Sequence, residues 1–478
     1  MILIETENQK NTDDIHALTK AFFPREEVRI TLCGDSGNGM SHPVIKPTNS
    51  GKSRKLVYKS DIGAMFEVDI PEDDRDELKR VVYNALSLYT GRTLPWGALT
   101  GIRPTRLARK RIEAGMNENE ILADMKRCYL TSDEKILLSI EIAKREISLM
   151  QGMRGEGHYS LYVDIPFCPT RCLYCSFTSN AVGKDRSRVR AYLDALEKEI
   201  RACAGIMDGR LPDTVYVGGG TPTALLADEL ERLMRTLEYS FNIQKVKEIT
   251  VEAGRPDSIT AEKLSVLKAS GVNRISVNPQ TMNQKTLDLI GRRHTVEQVG
   301  EAYYLAREAG FDNINMDIIL GLPGEDIEDV VRTVDRLSRL DPDSLTVHTL
   351  ALKRASAMKD WIGRDGMVEN TGTDQMMSAA GRGALSLGMH PYYLYRQKNM
   401  TGNLENTGYA KDGKYGLYNI LINEEVQDIL ALGAGAISKT VDAGGNTRRS
   451  ANFKEVNDYI DHVDQMIDRK RKLFDPGA

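Results

Sequence analysis

The chain has 478 residues, 41% of them hydrophobic, and its 64 basic and 68 acidic residues leave a net charge of −4. This near balance gives no support for bulk binding to nucleic acid or to a membrane surface. No stretch approaches the roughly 20 apolar residues of a membrane span, and the acidic start of the chain lacks the pattern of a signal peptide. Its six cysteines do not form a disulfide framework, so we expect a soluble cytoplasmic protein.

Two segments are predicted ahead of the main domain. Residues 1–75 are predicted to form a small α/β segment, because three short stretches have the apolar or alternating pattern of strands. These stretches are residues 28–32, 55–58 and 65–70. Residues 76–155 are predicted to be helical, with apolar stripes that begin at Leu78 and Ile136.

Residues 156–354 alternate short apolar strands with amphipathic helices and define the main domain. The predicted strands are residues 161–165, 214–217, 248–252, 274–277, 315–319 and 344–347. The predicted helices between them are residues 188–203, 225–239, 261–269, 296–309 and 327–340. Six such units predict an α/β fold with a parallel sheet, most economically a partial (β/α)6 barrel. Residues 355–478 are predicted to form a smaller C-terminal α+β domain.

The loop after the first predicted strand carries Cys168, Cys172 and Cys175, whose spacing cannot place all three sulfurs on one regular element. They must therefore wrap a loop around a common centre. Thiolates are ligands of iron–sulfur clusters, and a cubane cluster normally takes four, so three would leave one iron open for another ligand. The alternatives are a zinc knuckle, which would need a fourth Cys or His nearby, and a disulfide pair with a spare thiol.

Polar or flexible residues follow the other predicted strands, at the edge where the chemistry of such a barrel collects. The second strand runs into three glycines, residues 218–220, which let a ligand approach the backbone closely but would also suit a tight turn. Four further strands end at or near Glu252, Gln280, Asp317 and His348. Because Asp317 lies within an apolar run, it must be paired or bound to a ligand. His348 taken alone is better explained as a rim residue than as a catalyst.

Three of these stretches together resemble the radical S-adenosylmethionine (SAM) proteins related to oxygen-independent coproporphyrinogen III oxidase. They are the cysteine loop, residues 218–223 (Gly-Gly-Gly-Thr-Pro-Thr) and residues 315–324 (Asn-Met-Asp-Ile-Ile-Leu-Gly-Leu-Pro-Gly). Within that family, residues 173–180 and 393–400 are similar to the HemZ branch, described as a coproporphyrinogen dehydrogenase. The resemblance includes residues 101–105 and extends over nearly the whole chain. It implies a radical SAM partial barrel whose mouth is covered by a HemN-like C-terminal domain.

The resemblance also implies cofactors, partners and site residues. Cys168, Cys172 and Cys175 would ligate a [4Fe–4S] cluster. The residues that would contact SAM are Tyr162, Tyr174, Gly219, Gly220, Thr221, Glu252, Gln280, Arg292, Asp317 and Ala351. Among them, Arg292 would pair with a carboxylate. The implied partners are a tetrapyrrole substrate and an electron donor such as flavodoxin or ferredoxin, with no nucleic acid and no membrane span.

The implied reaction is the oxygen-independent oxidative decarboxylation of coproporphyrinogen III to protoporphyrinogen IX, a step of heme biosynthesis. Two positions depart from the decarboxylase branch, since Asp164 stands in place of a His and Phe177 in place of a further Cys. Both bear on the double decarboxylation and on binding of a second SAM. The alternatives are a heme or tetrapyrrole carrier of the same family, and a radical SAM enzyme that opens or modifies a tetrapyrrole.

Residues 392–398 mix tyrosines with cationic side chains ahead of the C-terminal strands. They are predicted either to hold a flat, carboxylate-bearing tetrapyrrole by stacking and ion pairing or to form an aromatic packing seam. A final amphipathic pattern over residues 454–472 predicts a terminal helix.

Overall fold

The structure is a computed structural model. It describes residues 1–7, 9–24, 26–32, 44–45, 53–60, 63–101, 103–154, 157–177, 179–183, 185–351, 356, 358, 372–397 and 403–475. The chain divides into two compact units, Met1–Lys144 with Leu394–Asn406 and Arg145–Tyr393 with Thr407–Ala478. The four-part division predicted from the sequence stays a prediction. No helix within the described ranges is long and apolar enough to cross a membrane.

The first unit is built on a five-stranded sheet. Its strands are Ile2–Thr6 (β1), Val28–Leu32 (β2), Val44–Ile45 (β3), Ser53–Ser60 (β4) and Gly63–Pro71 (β5), in the order β2-β1-β4-β5-β3. The helices of the first half of the chain are Thr12–Phe22 (α1), Arg75–Thr90 (α2), Thr105–Glu113 (α3), Glu118–Tyr129 (α4) and Asp133–Leu149 (α5). Alternation along β1 buries Ile2 and Ile4, which belong to one core with Leu78 and Val82 of α2.

The second unit is built on an eleven-stranded sheet and a separate two-stranded pair. Its strands are Tyr159–Ile165 (β6), Phe167–Cys168 (β7), Asn180–Ala181 (β8), Thr214–Gly219 (β9), Glu248–Glu252 (β10), Arg274–Ser276 (β11), Ile314–Leu320 (β12), Ser344–Thr349 (β13), His390–Tyr395 (β14), Asn406–Ala410 (β15), Asp428–Leu432 (β16), Ile437–Val441 (β17) and Thr447–Ala451 (β18). Its helices are Ser187–Ile206 (α6), Ala227–Phe241 (α7), Ala261–Ala269 (α8), Gln284–Leu289 (α9), Val296–Glu308 (α10), Ile327–Leu340 (α11), Thr373–Ser386 (α12), Leu417–Glu424 (α13), Val456–Asp461 (α14) and Val463–Phe474 (α15).

The six central strands follow one another across the large sheet. Neighbours in the order β6-β9-β10-β11-β12-β13 all pair in parallel, as the alternation of strands and helices predicts. The sheet does not close on itself, because β6 pairs next with β16 and β13 pairs next with β15. The predicted α/β fold with an open, partial barrel is therefore confirmed, and the carboxyl ends of all six strands meet at one edge.

Helix α11 shows how local signals set the bounds of an element. The carboxylate of Asp326 accepts hydrogen bonds from the backbone N–H groups of Glu328 (2.9 Å) and Asp329 (3.1 Å), which fixes where the helix begins. Val330, Val334 and Leu337 are buried on one face of the helix, whereas Val331 is exposed. Residues three and four apart share a face, and Val331 lies at the solvent edge of this one.

The described part of residues 392–398 forms a packing seam. Tyr392 and Tyr393 are buried, and a Cβ atom on Gly408 would lie 1.9 Å from the Tyr393 ring. Arg396 is also buried, and it donates to the backbone oxygens of Leu99 (2.8 Å) and Asn403 (3.1 Å). The seam is thus the alternative that these contacts favour, while Lys398 lies outside the described residues.

Helix α13 lies at the amino ends of the strands. The backbone N–H groups of Leu417 and Tyr418 donate to the buried carboxylate of Glu248, at 2.6 Å and 3.2 Å, and Glu248 is the first residue of β10. The start of a helix supplies the free N–H groups that a buried carboxylate needs. This part of the C-terminal segment therefore lies at the end opposite the cysteine loop, whereas the family resemblance places the C-terminal domain over the mouth.

Candidate cofactor site at the carboxyl ends of the strands

The cysteine loop is fixed to the edge of the sheet by backbone hydrogen bonds. Cys168 ends β7, and Leu173 donates to the backbone oxygen of Ile290 at 2.9 Å. Within the loop, the backbone N–H group of Cys175 donates to the backbone oxygen of Cys172 at 3.1 Å. Burial raises the pKa of the Cys168 thiol, and the nearby thiols of Cys175 and Cys172 raise it further. The structure thus brings the three predicted ligands to one place.

The thiols of this loop have the chemistry that an iron–sulfur cluster needs. Among the described residues, no group of three or more His, Cys, Asp and Glu side chains is placed to hold a metal ion. Thiolates are the usual ligands of a [4Fe–4S] cluster, in which each sulfur binds a different iron. Thr221 donates its hydroxyl to the Cys168 sulfur at 3.4 Å, and such hydrogen bonds favour the thiolate form. The donor set therefore fits an iron–sulfur cluster.

Gly219 ends β9 and Gly220 follows it. The two glycines form a tight turn beside the cysteine loop, which we call the glycine cradle. Gly219 has a φ of +105°, and a Cβ atom there would lie 2.6 Å from a carboxylate oxygen of Asp164. At Gly220 a Cβ atom would lie 2.6 Å from the backbone oxygen of Phe167. Any larger residue at these positions would collide with the neighbouring strand, so both glycines are required by close approach. Because atoms of the chain itself lie at these positions, the contacts are those of a tight turn, and the contact of both glycines with SAM stays a prediction.

Two carboxyl groups and three tyrosines line the interior below this cradle. Tyr162 donates its hydroxyl to Asp164 at 3.0 Å, and Tyr216 donates to Glu252 at 2.5 Å. Tyr418 stacks on Tyr216 with ring centroids 4.5 Å apart. Burial raises the pKa of Asp164 and of Glu252 to about 7, and nearby negative charge adds to the rise, that of Glu252 for Asp164 and that of Asp317 for Glu252. The two groups are therefore largely neutral below that pH.

Exchange of Asp164 for asparagine is expected to change how stability depends on pH. A carboxyl pKa near 7 in the folded state and near about 4 in the unfolded state means that the unfolded chain loses its proton first as the pH rises. Stability therefore falls between these two values, and Asp164→Asn removes that loss, while its amide oxygen still accepts from Tyr162. We expect a gain on the order of 1–3 kcal/mol at pH 8 and none at pH 4.

Thermal unfolding of the cofactor-free protein across this pH range measures the effect. Asp335→Asn is the matched control, because Asp335 is an exposed partner of Arg339 on α11. A difference between Asp164→Asn and wild type that stays constant with pH would contradict the expectation.

The end of the fourth central strand carries polar atoms without partners. Gln280 is a non-glycine residue with a φ of +66°, a strained conformation that places its side chain at the rim. Within the part of the chain that the structure describes, its Oε1 atom and the Oδ1 atom of Asn278 are buried without a hydrogen-bond partner. Such atoms are costly unless a ligand satisfies them. They fit the polar contacts that SAM would require.

The hydrogen bonds of Arg292 are to groups of the protein itself, whereas the family resemblance implies that it pairs with a carboxylate. It donates to the backbone oxygens of Asn278 (2.6 Å) and Gly254 (2.9 Å) and to the hydroxyl of Tyr174 (3.1 Å). These bonds join the cysteine loop to the ends of two strands. Its Nε atom is buried without a partner among the described residues, so it keeps one donor for a carboxylate.

Asp317 is paired, as its place in an apolar run requires. It accepts from Asn315 at 2.6 Å and lies 3.7 Å from the ring of His348. Its pKa is lowered, because the hydrogen bond and charge of His348 outweigh the cost of burial. Ala351, the remaining predicted contact, is half-buried and lies two residues after the last residue of β13.

Three residues beside this site belong to no motif of the sequence. Tyr216 lies two residues before Gly218, so both lie on the same side of β9. The alternation of side chains along the strand could therefore have indicated that Tyr216 faces the site. Tyr418 and Arg255 come from other parts of the chain, and no local pattern indicates that they approach the site. The roles of all the site residues stay predictions.

Comparisons with known proteins place this site in a family. The model of the Radical SAM superfamily matches residues 162–337. The oxygen-independent coproporphyrinogen-III oxidase-like protein HemZ of Bacillus subtilis is 40% identical over 439 residues, covering 90% of this chain and 87% of that protein. The heme chaperone HemW of Bacillus subtilis is 38% identical over 200 residues, covering 41% of this chain and 51% of that protein.

A solved structure shows the same relationship. Coproporphyrinogen III oxidase (HemN) from Escherichia coli, described as a radical SAM enzyme, superposes with a TM-score of 0.55 at 26% identity, covering 67% of this chain and 72% of that one. The resemblance stated from the motifs is thereby confirmed. The chain belongs to the radical SAM family of oxygen-independent coproporphyrinogen III oxidase-like proteins, whose cofactors are a [4Fe–4S] cluster and SAM.

Proposed function

We propose that the protein is a radical SAM oxidoreductase that converts coproporphyrinogen III to protoporphyrinogen IX by oxygen-independent oxidative decarboxylation. The single observation that carries the proposal is the convergence of three thiols, a glycine cradle and unsatisfied polar atoms at one edge of the sheet. Similarity to HemZ over 90% of the chain supports the substrate class.

Each predicted site residue has a role in this proposal. Cys168, Cys172 and Cys175 hold the cluster and leave one iron open. The residues that bind SAM are Tyr162, Tyr174, Gly219, Gly220, Thr221, Glu252, Gln280, Arg292, Asp317 and Ala351. When bound, the cofactors supply one-electron chemistry that removes a hydrogen atom from the substrate. Conversion of a propionate to a vinyl group releases CO₂ and gives up one hydrogen atom and one electron.

The chain itself contributes orientation and exclusion of water. The stacked rings of Tyr162, Tyr216 and Tyr418 fill the interior beneath the cradle, with neighbouring centroids 4.5–6.2 Å apart. In this proposal the aromatic layer, which joins Tyr162 on β6 and Tyr216 on β9 to Tyr418 on α13, hinders the approach of water from the amino ends of the strands. Exclusion of water protects a reactive organic radical from side reactions.

The proposal extends to the setting of the reaction. Among the described residues, Cys128, Cys168, Cys172 and Cys203 are free thiols, which suits a reducing compartment such as the cytoplasm. A one-electron donor such as flavodoxin or ferredoxin would reduce the cluster.

A heme carrier is the second candidate function, favoured by the similarity to HemW. That similarity covers 41% of this chain, whereas the similarity to HemZ covers 90%, so the enzyme is the preferred candidate. A carrier would retain heme tightly and release no CO₂ from coproporphyrinogen III.

An anaerobic assay separates these candidates. Cluster-reconstituted protein is incubated with SAM, a reductant and either coproporphyrinogen III or heme, and products are identified by mass spectrometry. We expect 5′-deoxyadenosine, CO₂ and a product with vinyl groups from coproporphyrinogen III alone. Cleavage of SAM without loss of a propionate carboxyl group would refute the decarboxylation, and a different tetrapyrrole product would indicate a modifying or ring-opening enzyme.

A further inference from the structure

Arg255 is a buried cation beside the cysteine loop. It follows β10 and is 3% exposed. One terminal nitrogen, Nη1, lies 3.8 Å from the sulfur of Cys172 and donates to the backbone oxygen (3.1 Å) and the hydroxyl (2.7 Å) of Thr170. The guanidinium group therefore ties the loop after β10 to the loop that carries the three thiols.

The other side of the guanidinium group is held by a carboxylate. Nε and Nη2 of Arg255 donate to the two oxygens of Asp257, at 2.9 Å and 2.7 Å. This two-point contact fixes the plane of the guanidinium group and directs Nη1 at Cys172. His294 lies nearby, but burial lowers its pKa to about 3, so it adds no charge near neutral pH.

The charges of this pair lie beside the thiols. The positive charge of Arg255 is nearer to the sulfur of Cys172, and the negative charge of Asp257 is on the other side of the guanidinium group. The reduction potential of an iron–sulfur cluster depends on nearby charge and on hydrogen bonds to its sulfur ligands. A cation favours the reduced cluster, because reduction adds a negative charge.

We propose that Arg255 and Asp257 set the reduction potential of the cluster, with Arg255 raising it and Asp257 limiting that rise. Arg255 is a positioning residue that acts through Cys172. The inference rests on the proposed ligation of the cluster by Cys168, Cys172 and Cys175, and it does not depend on which tetrapyrrole the enzyme uses.

Redox titration of the reconstituted cluster, followed by electron paramagnetic resonance without substrate, tests the proposal. Arg255→Gln is expected to shift the midpoint potential to a more negative value, because it leaves the charge of Asp257 uncompensated. Asp257→Asn is expected to shift it in the opposite direction, because it leaves the charge of Arg255 uncompensated. Arg255→Lys keeps the positive charge and is expected to stay closer to wild type than Arg255→Gln.

Arg307→Gln is the matched control, because Arg307 also pairs with a largely buried carboxylate, that of Asp343. Asp343 directly precedes β13, so this pair lies at the end of the strands opposite the cysteine loop. Its midpoint potential should equal that of wild type. Equal potentials in Arg255→Gln, Asp257→Asn and wild type, or shifts of the first two in the same direction, would overturn the proposal.

Two further outcomes remain decisive. If Arg255→Gln does not retain iron, Asp257→Asn and Arg255→Lys provide the same comparison, and a negative shift in Asp257→Asn would overturn the proposal. Because no tetrapyrrole is present, a failure of the decarboxylation assay leaves this test unaffected. Absence of a cluster in wild-type protein would instead overturn the proposed function itself.

Discussion

Replacement of Cys172 by alanine is expected to abolish both binding of the cluster and cleavage of SAM. The chain offers three thiolates to a cluster that normally takes four, so the loss of one leaves two irons without a protein ligand. Cys172 is buried and is surrounded by the contacts of Arg255 and Thr170, so no solvent ligand replaces its sulfur easily. Iron content, the visible charge-transfer absorption of the reconstituted protein and the yield of 5′-deoxyadenosine measure the result.

Cys203→Ala is the matched control for this experiment. Cys203 is fully buried in α6, and burial raises its pKa to about 12, so it remains a protonated thiol rather than a metal ligand. Its replacement removes only a small apolar side chain, which we expect to cost about 1 kcal/mol and no iron. Full iron content in Cys172→Ala, or loss of iron in Cys203→Ala, would show that the cluster is held elsewhere.

The central sheet and the position of the site could be predicted from local patterns. Short apolar strands alternate with amphipathic helices, an order typical of a parallel sheet, so the carboxyl ends of the strands lie at one edge. Glu252 ends β10 at that edge and the three cysteines follow β6 there, whereas Asp317 lies in the middle of β12. The order of the strands therefore predicts where the candidate site lies, while the roles of its residues stay predictions.

The surroundings of the site depend on residues far apart in the chain. Tyr418 stacks on Tyr216 from a helix that no strand pattern connects to the sheet. The charge of Arg396 is compatible with a ligand contact, but its guanidinium group is buried and donates to the backbone oxygens of Leu99 and Asn403. No sequence pattern indicates that these oxygens are its partners. Charge and aromaticity indicate that a side chain needs a partner, whereas tertiary packing decides which partner it finds.

Glu199 and Lys470 form the clearest example of such a distant pair. Both are 0% exposed, and Nζ of Lys470 lies 2.6 Å from a carboxylate oxygen of Glu199, although 271 residues separate them. Glu199 also accepts from the side chains of Asn452 (2.9 Å) and Tyr459 (2.7 Å). The single terminal helix predicted over residues 454–472 is two helices, α14 and α15, which meet at His462. The apolar pattern predicts that they pack inward, but it does not indicate that Lys470 has a partner on α6.

Glu199→Ala is expected to destabilise the second unit by about 3–5 kcal/mol. The substitution leaves the ammonium group of Lys470 buried without its counter-charge, and removing one partner of a buried ion pair costs more than the pair itself contributes. It also removes the acceptor of the Gly433 N–H group, bonded at 2.8 Å. Thermal unfolding, together with amide hydrogen exchange of α15, measures the loss.

The residues that contact Glu199 also contact β6, the strand that leads into the cysteine loop. Gly433 has a φ of +98°, and a Cβ atom there would lie 2.7 Å from the backbone oxygen of Asp164. Tyr192 donates to that same oxygen at 2.6 Å and accepts from Ala434. Loss of Glu199 therefore loosens the strand that leads into the cysteine loop, and we expect the exchange of amides in β6 to rise along with that in α15.

Two variants distinguish the buried pair from ordinary surface charge. In the double substitution Glu199→Leu with Lys470→Met, both charges are gone, so stability should recover by several kcal/mol relative to Glu199→Ala. Asp468→Ala removes an exposed partner of Arg471 on the same helix and should cost at most about 0.5 kcal/mol. If Glu199→Ala cost no more than Asp468→Ala, the ammonium group of Lys470 would have to reach water once its partner was lost, and α15 could not be held to α6 by this pair.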